Sequence, residues 1–266
     1  MEKVINFGIP HVSEQIFESI NTPGLFQCAL VSETWKVLAE NVLIKRWKGK
    51  MLEACRKGET KVVQLLLESC DNEESGLNIK NICGYTPFMI ACLHGHKNVV
   101  QLLLDYSEKN IDLNTKTNRG YTAFMWACEN GHTSVVKLLL NHSESNIDLN
   151  TTTIYFRFTA FILACKYGRK DVVKLLLDHS DRIELNKRSP YGQTAFMYAC
   201  IRGLKEVVQV LLNYPNSGIE FNARDDNGRT GFMLALIKEE ISAKISRRSK
   251  RLRRVARANK KKPNGQ

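Results

Sequence analysis

The chain has 266 residues, 43% of them hydrophobic and 25% charged, with a formal net charge of +12. No apolar run approaches the roughly 18 residues that a membrane-spanning helix needs. The charge is also local: residues 241–266 hold eleven of the 39 Lys and Arg and no acid, leaving 28 basic residues against 27 acidic in a nearly neutral body.

The N-terminal stretch is read as three short helices. Val12 to Ile20 places Ile16, Phe17 and Ile20 on one side. Asn21-Thr-Pro-Gly24 is a turn. Leu25 to Ala39 follows, with Leu25, Cys28, Ala29, Val31, Trp35 and Leu38 as a packing face, and Leu43, Ile44 and Trp47 continue a third helix. Ile9-Pro10, Ile16-Phe17, Leu25, Cys28, Leu30-Val31, Trp35 and Leu38-Ala39 together resemble an F-box. The first half departs from that pattern: it is one residue short between Pro10 and Ile16 and lacks an acid-leucine pair. The resemblance implies docking to a Skp-type adaptor of an SCF ubiquitin ligase through Pro10, Ile16, Phe17, Leu25, Cys28, Leu30, Val31, Trp35 and Leu38. The other reading is a helical cap that shields the first repeat from water. Both can hold at once, because Leu43 to Met51 leaves almost no linker.

From Met51 onward the chain repeats. Ala-Cys recurs at Ala54-Cys55, Ala91-Cys92, Ala127-Cys128, Ala164-Cys165 and Ala199-Cys200, with a last echo at Ala235-Leu236, in steps of 35–37 residues. A Val-Val pair begins four residues after each of Gly58, Gly95, Gly131, Gly168 and Gly203. The clearest copy is Gly120 to Leu140. Thr122 suits an N-cap, Gly131 a left-handed C-terminus, and Val135 to Leu140 a second helix with a wide buried face. Helices this short are marginal alone, so the unit needs neighbours, and a fixed period marks a solenoid array.

Thr86-Pro87-Phe88-Met89, Thr122-Ala-Phe-Met125, Thr159-Ala-Phe-Ile162, Thr194-Ala-Phe-Met197 and Thr230-Gly-Phe-Met233 resemble the ankyrin-repeat signature Thr-Pro-Leu-His. Met or Ile stands in place of the motif histidine, so that position is expected to pack as an apolar one. Pro occupies the first helical position only at Pro87. The resemblance implies an all-α solenoid of helix-turn-helix repeats with β-turn fingers, over residues 51–241. A small F-box-like module (residues 1–50) precedes it and a basic tail (residues 242–266) follows. The first and last of about six repeats are atypical. In the fourth, Arg157 stands for the turn glycine of Gly84, Gly120, Gly192 and Gly228, which points to another finger geometry or a binding feature.

Five of the eight cysteines share one register of the first helix, where a small buried thiol serves as core packing. No Cys/His spacing fits zinc and no cofactor motif occurs. Free thiols without a signal peptide point to a reducing compartment, cytoplasmic or nuclear. None of the six histidines stands with a nucleophile in a recognisable motif, so the chain is read as non-enzymatic, without a small-molecule substrate. His96 and His132 are read as structural.

Ankyrin arrays imply partner contacts at the finger residues and before the helix-ending glycine. These are Tyr85, Leu93, His94, Arg119, Tyr121, Glu129, Asn130, Tyr155, Phe156, Phe158, Lys166, Tyr167, Tyr191, Gln193, Ile201 and Arg202. Seven of these sixteen are Tyr or Phe, residue types favoured at protein-binding hot spots. Some could instead pack against neighbouring fingers. The tail residues Arg247, Arg248, Lys250, Arg251, Arg253, Arg254, Lys260, Lys261 and Lys262 resemble a nuclear-localisation signal for an import receptor. Its rivals are a solvated interaction tail and a basic amphipathic helix for a membrane surface or calmodulin-like partner. Phosphate contact to nucleic acid is a weaker reading, as no aromatics interleave. The sequence therefore points to a substrate receptor of an SCF-type ligase, with an ankyrin scaffold or nuclear regulator capped by its N-terminal helices as the alternative.

Overall fold

The computed structural model describes Gly24 and residues 46–68, 78–106, 111–142, 147–214 and 218–239. The predicted helices before residue 46, the nine adaptor-facing residues and the basic tail lie outside the described residues. The chain divides into two compact units, Met1–Asp112 and Leu113–Gln266. The described residues contain eleven α-helices and no strand.

In the first unit, α1 (described over residues 46–57) pairs with α2 (Thr60–Glu68), and α3 (Pro87–His94) pairs with α4 (Lys97–Asp105). In the second, the hairpins are α5 (Ala123–Asn130) with α6 (Thr133–Asn141), α7 (Ala160–Lys166) with α8 (Lys170–Leu177), and α9 (Ala195–Arg202) with α10 (Lys205–Asn213). A last helix, α11, spans residues 231–239.

The threonine of each signature starts the first helix as expected. Thr122 is extended at φ −95°, and its hydroxyl accepts from the Met125 amide at 3.3 Å. Thr86, Thr159 and Thr194 accept in the same way from Met89, Ile162 and Met197. Each cap satisfies an orphan amide, typically about 1 kcal/mol. Gly95, Gly131 and Gly203 close α3, α5 and α9 in the left-handed region.

Burial follows the two helix types. First helices are buried nearly all round: in α5, Phe124, Met125, Ala127 and Cys128 are each at most 1% exposed. The reason is position, since α7 packs against both α5 and α9. Second helices bury one stripe, as Val135, Val136, Leu139 and Leu140 do in α6. Burying each such side chain contributes roughly 1.5–3 kcal/mol. The motif position of Met89, Met125, Ile162 and Met197 is apolar core, as expected, whereas Met233 in α11 is 45% exposed. The glycine of the last signature has a packing reason: a Cβ on Gly231 would lie 2.7 Å from the Phe196 ring.

The five in-register cysteines are buried, and burial pushes the thiols of Cys55, Cys92, Cys165 and Cys200 up, that of Cys55 to about 12 and that of Cys200 to about 11. Because the thiolate is the reactive form, Cys55, Cys92, Cys128, Cys165 and Cys200 are expected to resist alkylation until the array unfolds, while exposed Cys83 labels at once. Residue-by-residue mass spectrometry after a timed iodoacetamide pulse checks this. Early labelling of the buried set would mean that the hairpins open locally.

One regularity absent from the sequence reading emerges. Asn78, Asn114, Asn150 and Asn186 each accept, through Oδ1, from the backbone amide 34 residues ahead, at 2.8–3.0 Å. Asn150 Nδ2 also donates to the Arg182 carbonyl at 3.0 Å. The signal was present as Leu-Asn at 77–78, 113–114, 149–150 and 185–186. As the lack of a linker implied, α1 runs without a break through residues 46–57, across the expected boundary at residue 50. Trp47 Nε1 donates to the Leu66 carbonyl in α2 at 3.2 Å.

Candidate binding surface

Each finger is built on one side-chain acceptor. Asn81 Oδ1, Thr117 Oγ1, Ser189 Oγ and Asp225 Oδ1 accept from the amide four residues on, at Tyr85, Tyr121, Gln193 and Arg229. Residues of the same four pairs also join through their backbones, as in Thr117 N to Tyr121 O at 2.9 Å. The fourth finger is longer. There the amide of Phe158 meets Thr153 Oγ1, five residues apart, at 3.0 Å. The added residue lets Arg157 take the left-handed turn, at φ 49°, the sole non-glycine among the described residues with positive φ. The expectation of another geometry at Arg157 is met by a loop one residue longer, with the strained residue retained.

That longer finger lifts its apolar residues into solvent: Ile154 is 60%, Tyr155 71% and Phe156 50% exposed. Relieving the strain should stabilise the chain without removing that display. Arg157→Gly is expected to gain about 0.5–1 kcal/mol, because the left-handed penalty of about 1–2 kcal/mol exceeds the extra entropy glycine loses. Urea denaturation measures it, and a net loss of stability would show that Arg157 makes compensating contacts.

Beneath the finger the expected residues converge on α7. Phe156 and Phe158 stack at 5.3 Å, and Phe158 meets the edge of Tyr198 at 5.1 Å. The Lys166 ammonium lies 4.2 Å from the Phe158 ring centre, 5.4 Å from that of Tyr167 and 5.8 Å from that of Tyr198. Arg202 stands over the other partner of this group, its guanidinium 5.7 Å from the Tyr167 ring, and its Nε donates to the Lys166 carbonyl. Burial, and then the like charge of Arg202, lowers the pKa of Lys166.

A second group adjoins α5. Tyr121 stacks on Trp126 at 4.3 Å, and Asn130 Nδ2 donates to the Trp126 carbonyl at 2.9 Å. Glu129 is half-buried, with Oε2 sealed from solvent. Burial raises its pKa, against lowering by a Tyr121 hydrogen bond and by Lys166 and Arg169.

The expected residues are thus not equivalent. Phe156, Phe158, Lys166, Tyr167 and Arg202 form one cluster, and Tyr121, Glu129 and Asn130 another. Phe158 is only 3% exposed and supports the surface from below. Tyr191 is exposed, Gln193 and Ile201 half-buried, and Arg119 lends its carbonyl to the Ile154 amide at 3.1 Å. In the first unit, Tyr85 and Leu93 are half-buried and the exposed His94 stacks on His96 at 6.0 Å. His96 has the structural place expected of it, its Nε2 2.9 Å from the Arg56 carbonyl. Trp126 and Tyr198 were missed; their signal is the large residue immediately before each Ala-Cys. Among the described residues no cluster of His, Cys, Asp and Glu could hold a metal, and no helix is long and apolar enough to cross a membrane.

Capped short helices, buried first helices and projecting fingers define a repeat protein whose surface suits binding proteins. The family model for ankyrin repeats in three copies matches residues 51–153 and 144–225. The chain belongs to the ankyrin-repeat family, and the all-α ankyrin fold expected from the signatures is the fold found. Among solved structures it is similar to the ankyrin repeat protein EF0377, at 25% identity and TM-score 0.61, over 72% of this chain and 92% of that one. Among curated proteins it is similar to the probable E3 ubiquitin-protein ligase XBOS33 of Oryza sativa subsp. japonica, 47% identical over 51 residues. That match spans 19% of this chain and 9% of the rice protein.

Proposed function

We propose that this chain is a non-enzymatic substrate receptor of an SCF-type ubiquitin ligase. In this reading residues 1–50 dock a Skp-type adaptor, the array at residues 51–241 holds a target protein, and residues 242–266 are an import signal. The mechanism is proximity: a bound target is presented to an enzyme carried elsewhere in the assembly, and this chain makes or breaks no bond. The observation that carries target binding is the exposed aromatic group of Tyr155, Phe156, Tyr167 and Tyr191, whose large rigid rings bury much area for little entropy. Adaptor docking is supported by the spacing of Leu25, Cys28, Leu30, Val31 and Trp35.

A second reading is favoured by one contact. The Trp47 bond to Leu66 and the unbroken α1 suit N-terminal helices that cap the first repeat. A pull-down of the full chain with a purified Skp-type adaptor separates the two. The receptor reading expects capture that Trp35→Ala and Leu30→Ala abolish. No capture, or capture indifferent to both changes, leaves a capped ankyrin scaffold. A fluorescent reporter fused to residues 241–266 tests import; an even distribution through the cell removes that part.

A further inference from the structure

The cluster on α7 carries more information than its aromatic character. Lys166 and Arg202 approach the same Tyr167 ring from α7 and α9, with the guanidinium bonded to the Lys166 carbonyl. Among the described residues neither takes part in an ion pair. Arg169 adds a third cation nearby, its Nε bonded to the Glu129 carbonyl at 2.7 Å. The carboxylate in the neighbourhood, half-buried Glu129, acts on Lys166 and Arg169, so one carboxylate stands against three cations and the net charge here is positive.

We propose that Phe156, Phe158, Lys166, Tyr167, Tyr198 and Arg202 form a receptor for an Asp or Glu side chain of a protein partner, flanked by an apolar residue. The carboxylate is placed between Lys166 and Arg202, and the apolar neighbour packs on Phe156 and Tyr155. The inference rests on the reading of this surface as protein-binding, not on the adaptor reading. Its physical basis is an unbalanced site. Ring faces attract a cation, but the half-buried Lys166 ammonium has given up part of its hydration without gaining an ion-pair partner among the described residues. The depressed pKa of Lys166 is the same imbalance seen in its titration. An incoming carboxylate offsets the repulsion between the two cations and accepts charge-assisted hydrogen bonds from both. A basic partner would add a further cation to a site already crowded with them. The exposed Phe156 and Tyr155 explain why the acid needs an apolar neighbour.

The test is selection of a random-peptide phage library on the immobilised full chain. The expected result is enrichment of Asp or Glu beside a large apolar residue. Binding of the enriched peptides should weaken about tenfold or more in Lys166→Gln and in Arg202→Gln, the effect of losing one charge-assisted contact. Matching thermal melts show that both variants remain folded. Acidic peptides captured by the basic tail would weaken instead in Arg253→Gln/Arg254→Gln and survive Lys166→Gln, which would overturn the proposal. Enriched peptides without an acid, yet lost in Phe156→Ala, would overturn the acidic preference and leave the protein-binding reading standing. No peptide dependent on Phe156 or Lys166 would overturn both. Tight binding of a poly-dT oligonucleotide that Lys166→Gln abolishes would assign the surface to nucleic acid and also overturn it.

Discussion

Replacing Phe161 by alanine is expected to destabilise the second unit by about 3–5 kcal/mol, the range for truncating a fully buried phenylalanine. Phe161 is 1% exposed and lies on α7, which packs against α5 on one side and α9 on the other. A cavity there faces two neighbouring hairpins, and neither can close on it without losing register with its own second helix. The control is Phe232→Ala, at the same motif position in α11. Phe232 is 44% exposed, so less apolar surface returns to water and a smaller cavity remains. A loss of about 1–2 kcal/mol is expected there on the same area argument. Urea melts with an unchanged m-value would read both. Equal losses would mean that the motif phenylalanine acts through helix formation alone and that packing between hairpins contributes little. In an array whose stability is a sum of unit and interface terms, the difference between the two variants approximates one lost interface.

What was legible in the sequence follows the same division. Threonine caps, closing glycines and the Ala-Cys register could be read because each is a local requirement that recurs. A hydroxyl three residues from an orphan amide needs no knowledge of neighbours. Contacts between repeats were harder to read. The asparagine bridge from Asn150 to the Glu184 amide spans 34 residues, and Leu-Asn is too common a pair to stand out until its partner is seen. The finger acceptor was hidden by chemical equivalence: Asn81, Thr117, Thr153, Ser189 and Asp225 share an oxygen at the right reach, not an identity. The candidate surface was half legible. Signature positions picked out Phe156, Phe158, Lys166, Tyr167 and Arg202, but Tyr198 and Trp126 sit inside first helices, where the pattern implies burial. They join the surface because the residue before Ala-Cys meets a finger ring, Tyr198 that of Phe158 in the preceding repeat and Trp126 that of Tyr121 in its own.

Gly120 and Gly228 permit a comparison that isolates how fingers hold one another. Both are turn glycines in the left-handed region, at φ 81° and 74°. An alanine at either is expected to cost about 1–2 kcal/mol for that conformation alone. At Gly228 nothing lies within 4 Å of the added Cβ, so the cost stops there. At Gly120 the same atom would come 2.8 Å from both the Ile154 side chain and its backbone amide. That amide donates to the Arg119 carbonyl at 3.1 Å, so the clash falls on the bond joining the third and fourth fingers. Backbone cannot yield as a side-chain tip can, and forced overpacking adds about 1–3 kcal/mol. Gly120→Ala should therefore lose about 2–5 kcal/mol by these two contributions. It should also displace the loop that carries Tyr155 and Phe156, weakening any peptide that binds there, while Gly228→Ala leaves that peptide's affinity unchanged. Equal stability losses in the two variants, with peptide affinity intact in both, would show that the fourth finger holds its shape without the third.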